Sequence, residues 1–286
     1  NFPNIPIILS LHSTTFVNPR KDPRRIIAQS LKRANGIVVN SEFLAGWLQR
    51  NMGVPRQRIA VCYPGTDIER FISRYQPTGR ELREVMREEL GYADKKVVLF
   101  IGRLIPMKGV HHLLAAFRRV IAKHQDAVLL ICGSAKYGSD RLTSYVKQLH
   151  QIGGTMPNHV RFVPFIPHSS APSWYLAADV VVVPSTGEEA FGLVNVEAAA
   201  CGAPVVATRV GGIAEVIRHN VNGLLVNPDH IQEELAEALN ELLGDQGWRT
   251  RMGKEAVAIA CHQFSWQMTA SRYAAIYEKL VTTNRE

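Results

Sequence analysis

A chain of 286 residues, 46% hydrophobic and 20% charged, has the size for one large or two smaller domains with full cores. No apolar run reaches the length of a membrane-spanning helix; the longest, around IPIILSL, is strand-sized. The formal charge of +8, from 33 basic and 25 acidic residues, favours anionic partners, but nucleic acid is not expected without zinc-finger or helix-turn-helix spacing or a basic patch interleaved with aromatics.

The chain opens at Asn1 directly on a buried-strand pattern, IPIILSLH, without the basic and long apolar regions of a signal peptide. A helix from Pro23 to Ala34, the strand GIVVNS, a helix through Trp47 and the strand RIAVCYPG follow. These form the second half of an α/β unit, so the chain is expected to be a fragment whose upstream sequence is absent. PGTDIERF, residues 64–71, suits a connection with a turn at Pro64-Gly65. From about residue 95 strands and helices alternate regularly: VVLFIG (97–102), a helix over 110–124, AVLLICG (127–133), a helix near 139–152, VRFVPF (160–165), a short helix from Ala171 to Ala177 and VVVVP (180–184). A helix starting near Gly192 or Leu193, PVVAT (204–208), GIAEVIRH (212–219) and GLLVN (223–227) complete the series, and helices fill most of the remainder.

Near-continuous apolar strands separated by amphipathic helices predict a parallel sheet covered on both faces, a doubly wound α/β domain. The last helix, ASRYAAIYEKL (270–280), is expected to pack back on the first domain. The expected division is 1–66 for a partial N-terminal Rossmann-like domain, 67–268 for a complete second one, and 269–286 for the returning helix. Cys62, Cys132, Cys201 and Cys261 are far apart with no CxxC pair, which suits reduced thiols in a cytoplasmic protein rather than a disulfide or zinc framework.

In open α/β sheets ligands bind beyond the carboxyl ends of the strands, so the residues after each strand are the candidates. After VVLFI comes GRLIPMKG, residues 102–109, where Gly102 permits a tight turn and Arg103 and Lys108 bracket a short loop. Two cations there suit a diphosphate, although two solvated surface cations would look the same. No GKS or GKT follows, so the loop is not a P-loop. After VVVVP comes STGEEAFGLVNVE, whose helix would begin near Leu193 with free amides facing an anion. Glu189 and Glu197 stand eight residues apart, about 12 Å at helical rise. That is too wide for two carboxylates acting on one bond. It suits a ribose at Glu197 and a sugar at Glu189, or equally a helix cap at Glu189 and a solvated face residue at Glu197. Gly211-Gly212, opening the next helix, is a weaker amide-lined anion site. His12 ends the first strand and would face the same cleft. His111 and His112 are expected to point apart, so no metal pair is expected, and no DxD, HExxH or GxSxG motif is present.

GRLIPMKG, followed about eighty residues later by EAFGLVNVE with its two framing glutamates, resembles glycosyltransferase family 4 of the GT-B fold. LHSTTF, VVNSEF, VCYPGTD, VRFVPFIPHSSAPSWYLAADVVVVPS and CGAPVVATRVGGIAEVI with NGLLV extend the resemblance over almost the whole chain. LREVMREELGYADKKVVLFIGRL and LTSYVKQLHQIGG are similar in texture to spore-coat-associated glycosyltransferases of endospore-forming bacteria. The resemblance implies a metal-independent enzyme, without a cofactor, that retains anomeric configuration and takes a nucleotide-diphosphate sugar, a UDP-sugar first. It implies that Arg103 and Lys108, with amides near Leu193 and Val194, grip the diphosphate. Glu197 would bind the ribose, Glu189 with the turn at Phe191 and Gly192 the sugar, His12 the reacting centre, and the backbone around Phe165 and Ile166 the base. The family's glycine-rich loop after its first strand has no counterpart after Asn1, so this chain is expected to be weak or inactive by itself.

The acceptor is expected to be a cell-envelope or spore-coat glycan, a lipid or a small molecule. DPRRIIAQSLKRANG (22–36) is a basic amphipathic helix able to meet an anionic membrane surface from the cytoplasmic side, or simply a packed helix with a solvated basic face. Two rivals share the architecture: a sugar-nucleotide epimerase or glycan phosphorylase, and a non-catalytic coat or scaffold protein. The epimerase would generate free nucleotide without an acceptor, the phosphorylase would need inorganic phosphate, and the scaffold would show no nucleotide affinity.

Overall fold

The computed structural model describes residues 5–13, 23–136 and 142–283. Residues 14–16 of LHSTTF, Asp22 at the expected helix start and residues 139–141 of the expected helix near 139–152 lie outside the described residues.

Among the described residues, β1 (Ile8–Leu11), β2 (Gly36–Val39) and β3 (Ile59–Val61) form a parallel three-stranded sheet in that order. The GIVV of β2 is buried throughout, as a central parallel strand covered on both faces should be. Ile37 and Val39 share a core with Leu31 of α1 (Pro23–Arg33) and with Leu44 and Leu48 of α2 (Glu42–Met52). Ile27 also turns toward that core, while Lys32 and Arg33 are exposed, so the inner face of α1 packs and its described cations meet solvent. Ser41 caps α2 by accepting from the Leu44 amide, and Gly53 in the left-handed region (φ 65°) ends it.

The larger sheet is all parallel. Its strands are β4 (Lys96–Ile101), β5 (Ala127–Cys132), β6 (Val160–Val163), β7 (Val180–Val183), β8 (Val205–Thr208) and β9 (Gly223–Val226), in the order β6-β5-β4-β7-β8-β9. This is the doubly wound pattern, with the strand order reversing between β4 and β7. Alternate residues of β4 serve opposite layers: Val97 and Leu99 face α6 (Ala171–Ala177) and α7 (Leu193–Ala200), while Val98 and Phe100 face α4 (Val110–Lys123) and α9 (Ile231–Gly244). α5 (Ser144–Gly153) covers β6, and the single turn α8 (Ile213–Val216) takes up only the middle of the expected GIAEVIRH segment. After α10 (Gln246–Gln263), α11 (Trp266–Thr283) lies against the smaller sheet. The Thr269 hydroxyl donates to the Tyr63 carbonyl at 2.9 Å, and Leu280 fills the space where a Cβ on Gly36 would sit.

One helix had no forecast. α3 (Pro77–Leu90) buries only Gly79 and leaves Leu82 and Val85 exposed, so little apolar surface holds it. Charge anchors it instead. Arg83 and Arg87 reach the C-terminal carbonyls of α6 and both carboxylate oxygens of Asp179, the latter at 2.6 and 3.1 Å. Burial alone would raise the Asp179 pKa, but these two guanidiniums hold it below the ordinary carboxylate value. A cavity of about 570 Å³ opens at this amino end of the sheet, and the Arg74, Arg83 and Arg87 that line it donate to protein carbonyls and Asp179.

His111 and His112 depart from expectation. Their rings do not diverge but lie with centroids 4.0 Å apart, each held by a partner on a different helix. His111 meets the Tyr145 hydroxyl of α5 at 2.9 Å and His112 meets Gln232 of α9. Among the described residues no group of three or more His, Cys, Asp or Glu is arranged to hold a metal ion. Burial, then the neighbouring His112, pushes the His111 pKa below its ordinary value, and burial does the same to His112. The unfolded chain therefore binds these protons more readily, and stability is fullest above about pH 6.5 and declines as pH falls below it. Urea midpoints should drop between pH 7.5 and pH 5, and His111→Gln should make that drop smaller.

Candidate functional site

The reversal between β4 and β7 opens a crevice at the carboxyl ends of the strands. Leu99 pairs with Val181, so the loop after β4 and the loop after β7 leave the sheet side by side. Backbone bonds stitch them together, with the Met107 carbonyl accepting from the Thr186 amide at 2.9 Å. Gly109 (φ 69°) is required here, since a Cβ would lie 1.8 Å from the Pro184 carbonyl oxygen.

Two adjoining cavities of about 810 and 490 Å³ make one trough over these loops, sharing Ile101, Gly102, Arg103, Leu193 and Val194. The larger runs toward the smaller sheet and is lined by His12, Asn40, Lys108, Glu189, Phe191 and Gly192 as well. The other runs along the larger sheet to Phe165, Ile166, His168, Tyr175 and Glu197. Gly192 (φ 88°) precedes α7 and gives it no side-chain cap, so the first amides of that helix, at Leu193 and Val194, border the middle of the trough.

The charged groups are already organised. Lys108 Nζ donates to Glu189 Oε1, which also accepts from Ser185 Oγ at 2.8 Å. Glu197 is 8% exposed and is no solvated face residue. Its Oε2 accepts from the Tyr175 hydroxyl at 2.8 Å, and its Oε1 lies 2.9 Å from His168 Nε2. Burial, with Glu197 adding to it, pushes the Tyr175 pKa well above its ordinary value, so the phenol stays a donor. Arg103 is exposed at the junction of the two cavities. On the opposite wall His12 ends β1, with Nε2 2.7 Å from Ser10 Oγ, and the Asn40 amide donates to its carbonyl at 3.1 Å. Ser10 Oγ in turn lies 2.9 Å from the Tyr273 hydroxyl of α11.

The trough thus gathers His12, Gly102, Arg103, Lys108, Phe165, Ile166, Glu189, Phe191, Gly192, Leu193, Val194 and Glu197. The Phe191 ring is buried, stacked on Tyr63 at 5.5 Å and edge-on to Phe264, so it braces the turn that borders the trough. Two placements differ from the sequence expectation: Gly211 and Gly212 do not line the trough. A Cβ on Gly211 would meet the Glu189 carbonyl oxygen at 2.0 Å, and the Gly212 amide donates to that same carbonyl, so the pair supports the Glu189 loop from behind.

The family model described as glycosyl transferases group 1 matches residues 83–258, and that of glycosyltransferase family 4 matches residues 2–70. The chain belongs to the group 1 glycosyl transferases. Spore coat protein SA of Bacillus subtilis strain 168 is 33% identical over 279 residues, spanning 97% of this chain and 73% of the relative. A D-inositol 3-phosphate glycosyltransferase of Corynebacterium glutamicum strain R is 34% identical over 290 residues, spanning 97% and 67%. The crystal structure of Anabaena Alr3699/HepE in complex with UDP and glucose matches with a TM-score of 0.81 at 30% identity, over 96% of this chain and 71% of that one. The architecture of this group 1 glycosyl transferase is GT-B.

Asn40, His168, Tyr175, Ser185 and Tyr273 were not singled out from the sequence. Asn40 follows a strand as His12 does, so the same strand-end rule could have flagged it. Tyr175 sits 22 residues before Glu197 on another helix, and no local pattern joins them. Replacing it with Phe leaves a buried carboxylate oxygen without its donor. Tyr175→Phe should therefore destabilise the fold by about 1–3 kcal/mol in urea titrations.

Proposed function

We propose that this chain carries the donor site and reaction cleft of a retaining, metal-independent glycosyltransferase that moves a sugar from a UDP-sugar to a cell-envelope or spore-coat glycan, a lipid or a small-molecule acceptor. The observation that carries this is the single trough in which Arg103, Lys108 and the first amides of α7 are flanked by Glu197 on one side and Glu189 on the other. The UDP and glucose bound by Anabaena Alr3699/HepE are ligands of the two kinds such a trough would take.

In this reading Arg103, Lys108 and the amides of Leu193 and Val194 receive the charge that develops on the departing diphosphate, a stabilisation strongest at a site that excludes water. Glu197, held rigid by Tyr175, takes the ribose hydroxyls, and the approach of the ribose replaces or shares the His168 contact. Phe165 and Ile166 flank the base. Glu189 takes hydroxyls of the transferred sugar, and its bonds to Lys108 and Ser185 keep it oriented. A carboxylate engaged in that way is a poor nucleophile, which favours attack by the acceptor on the face from which UDP leaves. His12 approaches the sugar from the other wall, and two side-chain cations supply the charge that a metal ion gives in other transferases. Residues 1–66 form the acceptor-side unit, 67–268 the donor unit, and 269–286 return to the first. Contact with an anionic membrane through residues 22–36 would be electrostatic, because Ile27 and Leu31 face the core while Lys32 and Arg33 are exposed.

Calorimetry with UDP tests the proposal. The wild-type chain should bind, and the double variant Arg103→Ala, Lys108→Ala should bind at least tenfold more weakly, about 1.4 kcal/mol. Wild-type protein without UDP affinity would overturn it. Glu197→Ala should weaken UDP more than 2′,3′-dideoxy-UDP, and equal weakening would remove Glu197 from the ribose.

A further inference from the structure

Glu215 lies on the single turn α8, three residues beyond Gly212, which is bonded to the Glu189 loop. Its carboxylate leaves its own unit. Oε2 accepts from the Glu42 amide at 2.7 Å and Oε1 from the Phe43 amide at 2.8 Å, the first two amides of α2 beneath the smaller sheet. A helix cannot satisfy these amides itself, and its positive end attracts a carboxylate. The next two are met from within, the Leu44 amide by Ser41 Oγ and the Ala45 amide by the Ser41 carbonyl. The cap of α2 is therefore built half from its own strand end and half from a residue 172 to 173 positions away. Burial, with the neighbouring Glu215 carboxylate adding to it, pushes the Tyr63 pKa up to about 12, and the Tyr63 ring stacks on Phe191 in the Glu189 loop.

Both ends of this clasp lead to the trough. On one side the short backbone from Glu215 to Gly212 reaches Glu189. On the other, Asn40 precedes the Ser41 cap and donates to the carbonyl of His12. The two facing walls, carrying His12 and Glu189, are thereby joined through one bidentate carboxylate. We infer that Glu215 is a positioning residue for sugar transfer, fixing the separation of His12 from Glu189 by capping α2 across the cleft. This rests on the proposed function. The groups assigned to UDP, Arg103, Lys108, Leu193, Val194 and Glu197, all belong to the larger unit, so releasing the clasp separates binding from turnover.

The test uses the full chain with Glu215→Ala and Glu215→Gln. UDP affinity is measured by calorimetry, hydrolysis of UDP-glucose by UDP release, and the opening of the cleft by pulsed electron paramagnetic resonance between spin labels at Arg50→Cys and Glu237→Cys in a Cys261→Ser background. In Glu215→Ala, the weak UDP-glucose hydrolysis expected of the wild-type chain should fall at least tenfold, the UDP dissociation constant should stay within about twofold, and the label distance should lengthen or broaden. If the wild type binds UDP but releases none from UDP-glucose, the label distance decides. Glu215→Gln keeps one acceptor oxygen for two amides and should recover part of both losses. Unchanged turnover with an unchanged distance overturns the inference, as does a loss of UDP affinity in proportion to turnover, which would mark a general structural defect. If the wild type binds no UDP, the proposed function fails. The label distance alone then decides the clasp, and an unchanged distance sinks it.

Discussion

The lateral pairing of β4 with β7 is the constraint from which the site follows. Each strand is followed by a loop, and the loops become neighbours only because the strand order reverses there. One loop carries Arg103 and Lys108, the other Glu189 and the start of α7. Were β4 and β7 separated by another strand, about 4.8 Å more per step would part Lys108 from the Glu189 carboxylate it now touches. The tight glycine at 109 and the Met107 carbonyl shared with the second loop turn that neighbourhood into a fixed spacing.

Around this junction polar groups are held in place before any ligand arrives. Glu189 is gripped by Lys108 and Ser185, and Glu197 by Tyr175 and His168. Both carboxylates are largely buried, where an unpartnered polar group would be costly, and the partners satisfy their oxygens and fix their directions together. Glycines 211 and 212 and the Phe191 ring do the same for the loop backbone, as supports behind the wall.

The two units meet at more than the cleft. α11 crosses to the smaller sheet, and its Tyr273 reaches His12 through Ser10, while Glu215 reaches α2 from the other direction. α3 is tied to α6 by arginines on helix-terminal carbonyls and on Asp179, a use of charge where apolar surface is scarce. The molecule therefore relies on polar contacts of long sequence separation at the joints, and on apolar packing within each layer.

The strands and most helices were legible because their signal is local: unbroken β-branched runs such as VVVV and helical apolar spacing in 110–124 need no knowledge of distant residues. The trough was legible in outline, since strand ends are where ligands bind, and that rule picked His12, Arg103, Lys108, Glu189 and Glu197. It failed where a residue's role depends on what packs against it. The exposed-face alternative for Glu197, the diverging histidines on α4, the ligand-facing roles of Gly211 and Gly212, and the absent forecast of α3 all turned on neighbours distant in the chain. Sequence alone determined the order of elements and the chemistry available at each strand end. Tertiary structure decided which of those ends became neighbours, and which carboxylate reached across to cap a helix 173 residues away, because hydrogen-bond partners are chosen by packing in space and no periodicity encodes them.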